Sequence, residues 1–294
     1  MSRGRLLAIC VYVLSAAPLV GCPDQQAKTA LGYTADAKRA YDAALIEFNA
    51  HNWLEAQNLM REVKRKYSYS NYARLAELRI ADADFSQDKF ADAIRGYRQF
   101  VHDHRSDDDE VAYARSRIAE AQYKEIGDSF LLPAGEERDQ AVIMDAYKEL
   151  RGYVHDYPGG AETAHVRELL ADVTARLVRH ELYVARFYLQ RDNYDAAVSR
   201  IQYALRNFSA GTAAAPTQPG SGSAGAKTEA PISSVQGDSG LEPEALLLLG
   251  ETYLKMHKWT DARDSFLTIL QRYGRSALTI QAQSYLEYMK GRGV

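Results

Sequence analysis

Five alanines, Ala56, Ala93, Ala146, Ala197 and Ala262, are each surrounded by the same pattern of residues, and no other feature of the chain restricts its fold so strongly. Three positions before each stands a large side chain: Trp53, Phe90, Ile143, Tyr194 or Trp259. Four positions after comes Met60, Tyr97, Leu150, Ile201 or Phe266, and seven after comes Val63, Phe100, Tyr153, Ala204 or Ile269. Separations of three, four and seven residues fall on one face of an α-helix, so each alanine centres a stripe that should be buried. Eleven after the alanine, where the helix should stop, stand Tyr67, His104, Tyr157, Phe208 and Tyr273, one of them followed by Pro158. Twelve before it, four copies place a small residue: Ala44, Ala81, Ala185 or Gly250. Small side chains there let a preceding antiparallel helix approach closely, and the pattern predicts an all-α chain built from pairs of short helices.

A unit of two short helices, with small residues at the crossing and an aromatic at the turn, resembles the tetratricopeptide repeat, whose period is about 34 residues. The last copy is the fullest, with Leu249, Gly250, Tyr253, Trp259, Ala262 and Phe266 following that signature in order. The resemblance implies an all-α tetratricopeptide-repeat (TPR) solenoid of about five helical hairpins. Its first four repeats fall within residues 36–208: the first from about Asp36 to Tyr67, turning at His51-Asn52, and the second from about Ala73 to His104. A third begins near Glu110, but Gly127 to Glu137 holds Pro133 and Gly135 and cannot be continuous helix, so that repeat is interrupted. After Pro158-Gly159-Gly160, the stretch Ala161 to Arg191 keeps helical periodicity, and an extra helix is expected to lead into the fourth repeat. Residues 209–240 turn to Ser, Gly, Ala and Pro, the composition of a flexible linker. The fifth repeat and a closing helix occupy residues 241–294, with Leu278, Ala282, Tyr285, Leu286 and Met289 supplying the cap that a repeat stack needs.

The first residues carry Arg3 and Arg5, and Leu6 to Val20 form an apolar run of secretory-signal length. Leu19-Val20-Gly21-Cys22 matches the bacterial lipobox, so residues 1–21 are expected to be removed and Cys22 to be acylated, with palmitate among its chains. Several acyl chains hold a protein on a bilayer where one would not. Residues 22–35 then form the lipidated tether. Cys10 leaves with the signal, and Cys22 finds no disulfide partner in the mature chain. Aspartate directly after the cysteine favours inner-membrane retention in lipoproteins of enteric type. Here Pro23 holds that place and Asp24 comes one later, so the expected location is the periplasmic face of the outer membrane.

With a net charge of −3 and its charges interleaved, the chain lacks the basic field that nucleic acid requires. Gly220 to Thr228 superficially resembles a phosphate-binding loop, but Ala226 separates glycine from lysine, and neither a strand before it nor a helix after it is expected. His102 and His104 point in different directions on a helix and find no further ligands for a metal. The acidic run Ser106 to Glu110 suits a helix N-terminus. With no nucleophile elbow, HExxH or dinucleotide fingerprint either, the chain is expected to be no enzyme and to need no cofactor or metal.

A lipobox at Leu19-Val20-Gly21-Cys22 followed by five such repeats resembles the BamD family of lipoproteins, part of the bacterial β-barrel assembly machinery, and three stretches carry the likeness. Lys66-Tyr67-Ser68-Tyr69-Ser70-Asn71-Tyr72 is similar to that family's R-Y-P-F-G-x-Y, with serines in place of its proline and glycine. Glu137-Arg138-Asp139-Gln140, leading to Ala146-Tyr147-Lys148-Glu149-Leu150 and Tyr157-Pro158, resembles its interrupted repeat. Glu181 to Tyr188 with Val198-Ser199-Arg200 fits its tyrosine-rich helix, hairpin and arginine. The resemblance implies that the N-terminal repeats receive unfolded outer-membrane proteins, and that the C-terminal repeats dock the periplasmic domains of the barrel-forming subunit, alongside other assembly lipoproteins. On that reading Tyr67, Tyr69 and Tyr72 line a concave surface for an extended client, by stacking and hydroxyl hydrogen bonds. Packing between the first two repeats is the other use these rings could have. Arg200, and at a hairpin turn Arg191, are the candidates for docking a partner carboxylate, with Arg200→Glu expected to weaken association and leave helical content unchanged. Tetratricopeptide surfaces serve many partners, so a lipoprotein of similar build that pilots a secretin or pilus, or coordinates envelope division, stays open as the alternative.

Overall fold

A computed structural model of the chain describes residues 30–105, 108–127, 135–208 and 240–293. Among them every regular element is helical. The signal segment, Cys22, residues 220–228 and nearly all of the Ser/Gly/Ala/Pro stretch lie outside the described residues, as do Ser106 and Asp107 of the acidic run.

The helices come as five hairpins: α1 (Ala30–Asn49) with α2 (Trp53–Lys66), α3 (Asn71–Ser86) with α4 (Phe90–Asp103), α5 (Asp108–Glu125) with α6 (Ala141–Asp156), α7 (Thr163–Leu189) with α8 (Tyr194–Phe208), and α9 (Glu242–Lys255) with α10 (Trp259–Arg272). A final helix, α11 (Thr279–Gly291), buries Ala282 and Met289 against the last of them. The first helix already begins at Ala30, inside the segment read as tether.

All five recurrent alanines and all five bulky residues one turn later are fully buried. The aromatic three positions earlier opens the second helix of four hairpins, at Trp53, Phe90, Tyr194 and Trp259. At the other end Tyr67, His104, Tyr157 and Tyr273 are C-caps, each donating its backbone N–H to the carbonyl of Val63, Phe100, Tyr153 or Ile269. The stopping residue is therefore bonded to the last member of the buried stripe, which is why the two share a fixed spacing.

The hairpin turns repeat as well. His51, Asp88, Asp192 and His257, each two residues before the opening aromatic, have φ between +55° and +62°. His and Asp are among the side chains that tolerate this left-handed region best. Close helix approach follows from the small residues: a Cβ on Gly96 of α4 would lie 3.0 Å from the Ala81 Cβ of α3.

The third hairpin is interrupted between α5 and α6, and a short 3₁₀ turn at Gly135–Glu137 is pinned on α7. His180 Nδ1 bonds the Glu136 carbonyl at 2.7 Å, and the Tyr183 hydroxyl donates to Glu137 at 3.2 Å. The small residue missing from this copy at the regular spacing is supplied by Ala119 of α5, buried in one core with Ala146. In place of an extra helix ahead of the fourth repeat, the structure has one continuous helix of 27 residues, α7. Its buried positions run from Thr163 to Ala185, so the added turns have a core to cover and no reason to break.

Despite the long connection, the fifth hairpin packs directly on the fourth. Gln202 of α8 donates to the Tyr253 hydroxyl at 2.8 Å, and Arg186 of α7 pairs with Glu244 of α9 at 2.5 Å. The buried side chains form three clusters in chain order, as expected when each repeat touches only its neighbours.

Candidate functional site

The first helices of successive hairpins, α1, α3 and α5, lie along one groove. At its entrance Ser70 caps α3, accepting the Tyr72 N–H at 3.1 Å, which fixes the turn carrying Tyr69 and Tyr72. The cleft there measures about 440 Å³ and is lined by Thr34, Tyr69, Ser70, Asn71, Tyr72, Arg74, Leu75 and Glu110. Leu75 and Glu110 also line a recess of about 190 Å³ beyond it, with Leu78, Arg79, Asp109 and Tyr113. Of the three tyrosines singled out from sequence, Tyr69 is 97% exposed at the lip, and Tyr72 leans on Tyr41 at 5.6 Å. Tyr67 does not line the cleft; its ring meets that of Tyr33 edge-on at 5.4 Å.

Beneath the groove lies a polar network that linear spacing did not reveal. The buried carboxylate of Asp82 accepts from the Tyr97 hydroxyl at 2.5 Å and the Tyr113 hydroxyl at 2.9 Å, and pairs with Arg79 at 2.5 Å. Arg79 also donates to the Tyr41 hydroxyl at 3.4 Å. One carboxylate thereby ties together side chains from α1, α3, α4 and α5. Burial, reinforced by the Asp82 charge, pushes the Tyr113 phenol up to about 12 and raises that of Tyr97 further. Burial works against the Arg79 charge, but Asp82 and the Tyr41 hydroxyl more than offset it, and the guanidinium is held charged. Above this floor Arg74 faces Glu110 at 3.6 Å. A signal in the sequence existed: Asp82 follows the small residue Ala81 on the face that meets α4, where a solvated carboxylate has no place.

The groove thus offers aliphatic walls at Leu75 and Leu78, aromatic edges at Tyr72 and Tyr113, and paired charges at Arg74 with Glu110 and Arg79 with Asp82. Those are means of holding an extended chain by its backbone. The Asp82 carboxylate is engaged by three donors, and no group of three or more His, Cys, Asp or Glu is placed to hold a metal among the described residues. His104, one of the two histidines considered, instead bonds Glu77 at 2.8 Å.

The two arginines proposed for docking lie at the other end of the chain. Arg200, on the exposed side of α8, reaches the largely buried Glu181 of α7 at 3.4 Å. Burial raises the Glu181 carboxyl above its ordinary range, and Arg200 opposes that rise. Arg191 lies over the Phe187 ring, 3.5 Å from its centroid, and donates to the Phe187 carbonyl. Phe187 is 44% exposed, so α7 presents an aromatic and a cation together.

A protein named outer membrane protein assembly factor BamD from Caulobacter vibrioides is 27% identical over 68% of this chain and 63% of its own length. Its namesake from Neisseria meningitidis is 25% identical over 66% of this chain and 73% of its own. Among solved structures, a thermophilic TPR protein of Thermus thermophilus is 14% identical and covers 85% of this chain and 98% of its own, at a TM-score of 0.33. The profile of the family YfiO, described as outer membrane lipoprotein, matches residues 34–217, which runs from within α1 through α8 and covers more than half of the sequence, and the chain belongs to that family.

Proposed function

We propose that this protein is a non-enzymatic, lipid-anchored scaffold for the assembly and insertion of β-barrel outer-membrane proteins. The observation that carries the proposal is the solvent-open groove along α1, α3 and α5, whose lining can bind a chain without reacting with it. The relatives' printed role as assembly factors supplies the context. Unfolded clients enter between Tyr69 and Tyr72 and run over Leu75 toward Tyr113, with Tyr67 buttressing the entrance from Tyr33. Cys22 carries the acyl anchor, and residues 36–208 and 241–294 form two blocks of repeats joined by the 209–240 linker. The C-terminal repeats dock the periplasmic domains of the barrel-forming subunit through Arg200, with Arg191 and Phe187 beside it, and other assembly lipoproteins join the complex. The test is to purify the tagged, lipidated protein from detergent-solubilised outer membranes and identify the co-purifying chains by mass spectrometry. Recovery of the barrel-forming subunit is the expected result. A secretin or a cell-wall synthase in its place would overturn the proposal in favour of piloting or envelope division.

A further inference from the structure

The last turn of α2 carries three basic residues, Lys64, Arg65 and Lys66, where the corresponding helices α4, α6, α8 and α10 carry one each. A single cation complements a helix C-terminus, so the extra charge needs another account. Arg61, one turn earlier, bonds only the neutral Asn58 and Gln57, and exposed Arg65 makes no direct ion pair among the described residues, its charge acting at longer range on Glu62, which Lys66 already holds. Lys64 and Lys66 do have partners, in Glu77 and Glu62. This positive turn stands on a chain whose net charge is −3.

Beside it lie the two most exposed large apolar side chains described, Tyr69 at 97% and Leu31 at 85%. Contact between Tyr33 and Tyr67 sets the start of α1 against the end of α2, and Thr34, three residues after Leu31, shares the entrance cleft with Tyr69. Ala30, the first described residue, therefore stands at this corner. Cys22 is eight residues earlier, a reach of at most roughly 30 Å even when fully extended.

We infer that this corner is a membrane-contact surface that binds anionic phospholipid headgroups through Arg61, Arg65 and Lys66, with Leu31 and Tyr69 entering the interfacial layer. Tyrosine suits that layer, having an apolar ring and a wet hydroxyl, and long basic side chains reach headgroups while their stems stay on apolar surface. Such contact would fix the mouth of the groove facing the bilayer. The inference takes the orientation of the protein from the lipid-anchored reading, but its binding test needs no lipid on the protein.

The experiment is flotation of the processed chain, residues 22–294 with Cys22→Ser, on vesicles of phosphatidylcholine alone and of phosphatidylcholine mixed with phosphatidylglycerol. Binding is expected only to the anionic vesicles. Each basic residue near such a surface is worth about fivefold in affinity, so Arg65→Ala/Lys66→Ala should weaken it by about 25-fold, while Arg65→Lys/Lys66→Arg should bind as the parent does. Equal binding to both vesicle types, no binding to either, or no effect of the double alanine variant would overturn the inference. So would loss of the barrel-forming subunit from pull-downs of that variant in lipidated form, since the turn would then be a protein contact. Failure of the assembly reading is distinct, because it would show in the unsubstituted protein.

Discussion

A Cβ on Gly250 would lie 2.5 Å from Phe266 Cε1, so the fully buried ring of α10 rests directly on the backbone of α9. Alanine in a helix interior ordinarily gains about 0.5–1 kcal/mol over glycine. Here the added methyl meets a ring with no room to withdraw, and overpacking of this kind costs about 1–3 kcal/mol. Gly250→Ala is therefore expected to lower stability to urea, and Gly250→Ala/Phe266→Leu to recover much of the loss. A stabilised single variant would show that the ring is free to move.

Asp82 is the other tight point. Asp82→Asn removes the charge that Arg79 is paired with and is expected to cost about 3 kcal/mol; Tyr113→Phe, which deletes one donor, about 1 kcal/mol. The tyrosines also set a limit at high pH. Tyr113 ionises at about 12 in the fold against 10.0 when free, and Tyr97 is raised too. The folded chain thus holds protons that the unfolded chain releases above about pH 10, and stability falls as pH rises from there. Denaturant titrations at pH 8 and above 10 should show a steeper loss in the parent than in Tyr113→Phe.

How far the sequence reaches is clearest from these same residues. The stripe around each alanine depends on contacts within one hairpin, whose spacing the helix fixes, so the buried faces, the caps and the crossing at Gly250 were legible. Asp82 was not, because its partners Tyr97 and Tyr113 come from α4 and α5, and linear order does not say which hydroxyls meet. The same limit hid the pairing of Arg200 with Glu181 across α7 and α8, and the turning of Tyr67 away from the groove toward Tyr33. The fusion of the expected extra helix into α7 depended on how much core lay beneath it, which only packing decides.

Asp88 takes φ of 58° at the second hairpin turn, where its exposed side chain has no hydrogen bond or ion pair among the described residues to hold it there. Left-handed backbone costs an L-residue about 1–2 kcal/mol, part of which glycine would lose again as chain entropy. Asp88→Gly is expected to raise stability by about 0.5 kcal/mol, and Asp88→Val to lower it by about 1 kcal/mol or more. Thermal unfolding of the pair decides: equal midpoints would mean that the turn is not strained.

Arg200 needs a gentler substitution than glutamate. Arg200→Glu would set a second carboxylate against largely buried Glu181, so lost association could reflect a disturbed α7–α8 pair and not a lost docking contact. Arg200→Ala removes the cation alone, at a cost of about 1 kcal/mol for a half-exposed pair. The sign of its pH dependence identifies the cause. Burial already raises the Glu181 carboxyl above its ordinary 4.5, with Arg200 opposing the rise, and without the arginine it rises further. Ionised Glu181 then weighs against the fold at neutral pH, and protonation relieves it as pH falls through the raised value. Arg200→Ala should lag behind the parent at pH 7 and narrow the gap as the pH falls through the raised value, while its capture of the barrel-forming subunit stays low throughout. Recovery of capture in step with stability as the pH falls would place Arg200 in the fold and not at the docking surface.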